Sequence, residues 1–224
     1  MTDQERFMKE AIRQAKKARA LEEVPIGCVI VHEGKIIARG YNRRNTDKNT
    51  LSHAELNAIR RASKKLGDWR LEGCTMYVTL EPCSHHGRTG PCCDALVAAG
   101  IARVVASIAD PNPLVGGRGF ERLRAAGISV EVGCGAEESR ELNIGFFSRM
   151  IRKKPWVRLK AAISLDGFTA MPSGESQWIT SEAARSDGHL WRARSCAVLT
   201  GVGTVLADNP KLNVRNIDTP RQPM

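Results

Sequence analysis

Apolar residues recur every three or four positions over 4–20, with Phe7, Ala11, Ile12, Ala15 and Ala18 sharing one side, a pattern that predicts an amphipathic helix. The period then changes. Pro25–Val31 is a short apolar run, Glu33-Gly34 makes a turn and Lys35–Gly40 runs back, so a hairpin is predicted. A polar loop over 42–51 leads to a second helix at about 53–66, with Ser52 as its N-cap. Strands are then expected at 74–80, 102–108 and 128–132, alternating with helices near 92–99, 118–126 and 137–150. Such alternation predicts an α/β sandwich with a partly parallel sheet.

Arg149–Pro155 is basic and ends in proline, so it reads as a linker between a first domain at 1–148 and a second part at 156–224. The second part is expected to hold a strand at 156–163, a helix at 181–194 and a strand at 197–201. Its size, about 70 residues, is small for an α/β domain because small domains bury too little surface, and it reads as an incomplete piece.

Composition adds three constraints. No run of 18 apolar residues exists, so no membrane span is expected, and Met1–Arg6 lacks an apolar signal region, so a cytoplasmic location is expected. The formal net charge of +10 favours phosphate-bearing partners, although the basic residues are scattered and most suit solvated helix faces. Of seven cysteines, Cys83, Cys92 and Cys93 cluster, which points to metal or catalysis before disulfides. Cys28, Cys74, Cys134 and Cys196 read as small hydrophobes.

The chemistry lies in His53-Ala54-Glu55, followed by Glu81-Pro82-Cys83 and Pro91-Cys92. One imidazole and two thiolates suit zinc and leave the fourth tetrahedral position open. Zinc lowers the pKa of a bound water toward about 7, and Glu55, two residues after the histidine, is placed to carry protons to a departing amine. His-x-Glu with Pro-Cys is the zinc deaminase signature, here with the second cysteine nine residues after the first rather than three. Cys93 is an alternative ligand to Cys92. A closed structural site is the competing reading, with Cys93, His85 or His86 as the fourth ligand.

These residues resemble the cytidine deaminase-like superfamily. The long Glu81–Cys92 spacing, Asp110–Gly119, Leu142-Asn143 with Phe146-Phe147, Ser164–Gly167 and Gly174–Thr180 are similar to the bifunctional riboflavin biosynthesis deaminase–reductases. Glu23–Gly27, Gly40–Asn42 and Trp69–Gly73 instead resemble bacterial tRNA adenosine deaminases, so two relatives meet near 74–82. The resemblance implies a three-layer α/β/α deaminase domain followed by a truncated dihydrofolate reductase-like segment. It implies Asn42 and Ala54 as contacts to the substrate ring, and an asparagine lost at Val24. The 84–91 insertion and the 110–119 loop would serve a ribosyl-phosphate pyrimidine. In the second part it assigns Ala162, Trp178, Thr204 and Asp208 to NADP, and Ser176, Arg192, Leu212 and Arg215 to a phosphorylated substrate, with Lys160 in the same pocket. Zinc is the expected cofactor, and NADPH joins it only if the reductase part works, which the early end of the chain argues against. Three functions stand: a riboflavin-pathway deaminase, a tRNA adenosine deaminase with tRNA as partner, or an inactive zinc-stabilised scaffold. A homo-oligomer is expected from either enzyme family.

Overall fold

The computed structural model describes residues 1–86, 90–113 and 115–224; Gly87, Arg88 and Thr89 of the expected 84–91 insertion, and Leu114 of the 110–119 loop, lie outside the described residues. The chain forms two compact units, Met1–Trp156 and Val157–Met224.

The first unit opens with α1 (Asp3–Ala20), whose Thr2 hydroxyl accepts from the Glu5 N–H while Glu5 accepts from the Thr2 N–H, closing a capping box. The hairpin β1 (Gly27–His32) and β2 (Lys35–Tyr41) follows, then α2 (Ala54–Leu66), β3 (Thr75–Val78), α3 (Cys92–Ala98), β4 (Arg103–Ala106), α4 (Arg118–Ala125) and β5 (Ser129–Val132). The five strands make one sheet in the order β2-β1-β3-β4-β5; β1 is antiparallel to β2 and β3, and β3, β4 and β5 run parallel.

Alternation along the strands splits the core into two layers. Cys28, Ile30, Met76, Val78, Val104 and Ala106 pack with Ala54, Ala58 and Ala62 of α2, Leu96 of α3 and Leu123 of α4. Val29, Val31, Tyr77 and Val105 pack with Phe7, Met8, Ala11 and Ile12 of α1 on the other face. The unit is therefore a three-layer α/β/α sandwich.

Two glycines let the helices reach the sheet. A Cβ at Gly27 would stand 2.1 Å from the Ala11 carbonyl of α1, and one at Gly40 would stand 2.1 Å from the Ala54 carbonyl of α2. Gly40 sits opposite Cys28 in β1, so the first turn of α2 rests directly on the hairpin.

Three expectations need correction. Ser52 is not the cap of α2; His53 occupies that position without a side-chain cap bond, and the Ser52 hydroxyl donates to Asp47 at 2.9 Å. The single helix expected at 137–150 is broken into α5 (Ala136–Leu142), α6 (Ile144–Phe147) and a π-helical turn at Ser148–Arg152. Asn143 sits at the break, and its buried amide donates to the carbonyls of Ser139 and Pro25. Residues 156–163 and 197–201 form no strand. A strand requires a partner ladder, and among the described residues Val198 and Cys196 bond instead to the single residue Met224, at 2.8 and 3.1 Å. The second unit contains α7 (Glu182–Ala193) and α8 (Val202–Asp208), the latter not anticipated. Among the described residues, no helix is long and apolar enough to cross a membrane.

Gly40→Ala is expected to lower stability by about 1–3 kcal/mol, because the added methyl cannot be accommodated without moving α2. Urea denaturation measures this, and an unchanged midpoint would contradict the close packing described.

Candidate metal centre

The register places one edge of the sheet in a line. Gly27 pairs with Tyr41, Cys28 with Val78, and Val78 with Ala106. The chain therefore enters β1 and leaves β2, β3 and β4 at this edge, so four connections begin or end together here, at 23–26, 42–53, 79–86 and 107–113. Open α/β sheets bind ligands at the carboxyl ends of parallel strands, and β3 and β4 end here.

His53, Cys83 and Cys92 meet at this edge, with their three ligand atoms within 4.8 Å of one another; among the described residues no other such group forms. His53 Nδ1 lies 3.2 Å from the Cys92 sulfur and 4.0 Å from that of Cys83. Each donor arrives on a different feature. His53 is the last residue before α2, Cys83 follows β3, and Cys92 opens α3. The Cys92 backbone N–H, an unpaired group at a helix start, donates to the Cys83 sulfur at 3.2 Å.

The electrostatics suit a cation. The Cys83 thiol is pulled down to about 4, first by the hydrogen bond from Cys92 and then by that from His53, so a thiolate stands ready at neutral pH. The Cys83 hydrogen bond raises His53 above its ordinary value. Glu55, buried on the first turn of α2, is pushed up to about 7 by burial and then by the charge of Cys83. A protonated-or-ionised carboxylate beside two sulfurs and an imidazole is the arrangement a proton carrier needs. The donor set of one nitrogen and two sulfurs fits zinc.

Cys93 stays outside the group. Its thiol donates to the Pro82 carbonyl at 3.2 Å, and burial lifts it to about 12. His85 and His86 are exposed and are not in the cluster. Asn42 follows β2 and is buried, with its amide 3.5 Å from Glu23; Ala54 is buried at the start of α2, where its carbonyl presses on Gly40. Val24 is exposed. Sequence reasoning missed Glu23. Its buried carboxylate accepts from the Thr46 backbone N–H at 2.6 Å and hydroxyl at 2.9 Å, and so pins the loop before His53. A charge beside Glu22 in a loop carries no mark of burial in the sequence.

In the second unit, the structure brings Arg192 and Arg215 together: both guanidinium groups donate to the Lys211 carbonyl, at 3.0 and 2.9 Å, and the next residue, Leu212, is half-buried. Thr204 and Asp208 lie one turn apart on α8, both exposed. Trp178 stacks under Arg185 at 4.2 Å, Ala162 is half-buried, and Ser176 and Lys160 are exposed.

Comparison with known proteins agrees with this geometry. Residues 1–108 match the cytidine and deoxycytidylate deaminase zinc-binding region. The fold and the site thus define a zinc-binding domain of the cytidine deaminase-like class. Residues 155–224 match the RibD C-terminal domain, and the chain is similar to RibD proteins over nearly all of its length. It is 53% identical over 213 residues to the riboflavin biosynthesis protein RibD of Escherichia coli, covering 94% of this chain and 56% of the relative. A deaminase/reductase structure from Thermotoga maritima matches with a TM-score of 0.85 and 43% identity, over 99% of this chain and 61% of that one. A tRNA:A34 deaminase structure matches with a TM-score of 0.54 and 36% identity, over 61% of this chain and 98% of that one. The chain therefore spans a little over half the length of the RibD relatives. The RibD match runs through the first eighty residues as well, so both motif sets fall within one similarity.

Cys83→Ala and His53→Ala are each expected to abolish stoichiometric zinc, measured by elemental analysis, whereas Cys93→Ala keeps one zinc per chain. Zinc affinity should fall as pH falls, because His53 must shed its proton to coordinate and its proton is held more tightly than usual. Retention of zinc by Cys83→Ala would contradict the site.

Proposed function

We propose that this chain is a zinc-dependent hydrolytic deaminase of riboflavin biosynthesis. Its substrate would be 2,5-diamino-6-(5-phosphoribosylamino)pyrimidin-4-one, and its products ammonia and the 5-aminouracil. The observation that carries this reading is the buried Glu55 carboxyl beside the His53–Cys83–Cys92 seat. The Thermotoga maritima structure, named as a diaminohydroxyphosphoribosylaminopyrimidine deaminase and 5-amino-6-(5-phosphoribosylamino)uracil reductase, supports the substrate.

His53, Cys83 and Cys92 would hold zinc, which when bound supplies a water acidic enough to act near neutral pH. Glu55 accepts a proton from the attacking water as oxygen adds to the ring carbon that bears the amino group. It passes that proton to the ring nitrogen, then takes the second proton from the added hydroxyl to the amine, which leaves as ammonia as the ring carbonyl forms. A carboxyl near 7 suits both halves of this transfer, because it gains and loses a proton at comparable cost. Asn42 and Ala54 would contact the ring. In the second unit, the paired guanidinium groups of Arg192 and Arg215 suit a phosphorylated ligand, and Ala162, Trp178, Thr204 and Asp208 are the proposed NADP positions.

Purified zinc protein is offered the pyrimidine ribosyl-phosphate and, separately, an anticodon stem-loop, and ammonia is measured. Release from the pyrimidine is expected, and release from the stem-loop alone would overturn the assignment. Glu55→Gln is expected to keep zinc and to lose a factor of about 100 to 10,000 in turnover.

A further inference from the structure

Glu81 is buried yet stands outside the metal group. Its backbone N–H donates to the Ile108 carbonyl at 2.9 Å, extending the β3–β4 pairing past the strand ends. Its side chain turns to the next connection and accepts three backbone N–H groups: Asp110 at 3.0 Å and Gly117 at 2.9 Å on Oε2, and Gly119 at 2.8 Å on Oε1. One carboxylate thus holds both ends of the stretch between β4 and α4. Hydrogen bonds to an ionised acceptor are the strong ones.

The packing around Gly119 is close. A Cβ at Gly119 would stand 2.3 Å from the Pro82 carbonyl and 2.9 Å from Glu81 Oε1. The Cys93 thiol reaches both the Pro82 and Gly119 carbonyls, at 3.2 and 3.6 Å. Arg122 of α4 pairs with Asp94 of α3 and donates to the Ser84 carbonyl at 3.3 Å. The stretch is therefore fastened to the segment that carries Cys83, at the edge where the metal ligands meet. Burial lifts the Asp110 carboxyl above its ordinary value, and the neighbouring charge of Glu81 adds to this.

We infer that Glu81 is a positioning residue for substrate: its carboxylate fixes the 110–119 connection as a wall of the pocket beside the metal seat, and so governs substrate affinity more than the chemical step. This rests on the deaminase reading above. Glutamine at this position would keep the shape but turn an amide N–H₂ toward amide donors, and alanine would leave three N–H groups without their acceptor.

The test uses the full zinc-loaded chain carrying Glu81→Gln or Glu81→Ala. Hydrogen exchange at the Asp110, Gly117 and Gly119 amides is expected to quicken by about ten- to a hundredfold, with α2 and β3 amides and zinc content unchanged. In ammonia release from the pyrimidine phosphate, KM should rise by about tenfold for Glu81→Gln while kcat stays within about threefold. Unaltered exchange at the three amides, or a fall in kcat at constant KM, would overturn the inference. Silence from the wild-type chain would instead sink the deaminase reading and the affinity claim with it, while exchange still decides whether Glu81 holds the loop. Should Glu81→Ala fail to fold, Glu81→Gln carries both measurements.

Discussion

The approach of one imidazole to two sulfurs, 3.2 and 4.0 Å away, sets what the rest of the first unit must do. Three side chains 30 and 9 residues apart in sequence have to arrive within one coordination radius. The fold solves this with backbone rather than with long side chains. Gly40 lets α2 lie on the hairpin, which delivers His53; the β3 exit delivers Cys83; and the first N–H of α3, bonded to the Cys83 sulfur, locks Cys92 against it. Rigid elements holding short side chains lose little entropy when a metal is bound.

The same edge of the sheet gathers groups whose ionisation is interdependent. Cys83 is held as a thiolate, and that charge, added to burial, keeps Glu55 near neutrality. Acid–base work at neutral pH needs a carboxyl of this kind, and burial against a neighbouring anion produces it. The connections around the site are held by buried carboxylates accepting backbone N–H groups, Glu23 on one side and Glu81 on the other. Loops fastened in this way can line a pocket without becoming part of the hydrophobic core.

The strands and the site were legible for different reasons. Val29–Val31, Met76–Val78 and Val104–Ala106 alternate between two apolar layers, so both faces of each strand are apolar and the runs stand out. The grouping of His53, Cys83 and Cys92 is legible because metal chemistry restricts residue type and spacing together. Ser52 satisfies the N-cap rule locally because it is a serine before a helix, while the fold commits its hydroxyl to Asp47. The sequence predicts a continuous helix over 137–150 because Asn143 looks like an ordinary polar position, whereas its amide donates to the Pro25 and Ser139 carbonyls at the break. In the second unit, Trp156–Ile163 has the composition of a strand, and composition cannot show whether a neighbouring strand is present to pair with it. Glu23 and Glu81 were invisible as structural groups, because a loop carboxylate reads as surface charge until its donors are known.

The central claim is a zinc ion held by one nitrogen and two sulfurs with a fourth position left to water. X-ray absorption at the zinc edge of the loaded protein tests it directly. Two sulfur neighbours at about 2.3 Å and two lighter ones at about 2.0–2.1 Å are expected, one of the lighter pair exchanging when a competing anion is added. Three or more sulfurs, or a shell that no added anion perturbs, would show a closed structural site and contradict the account.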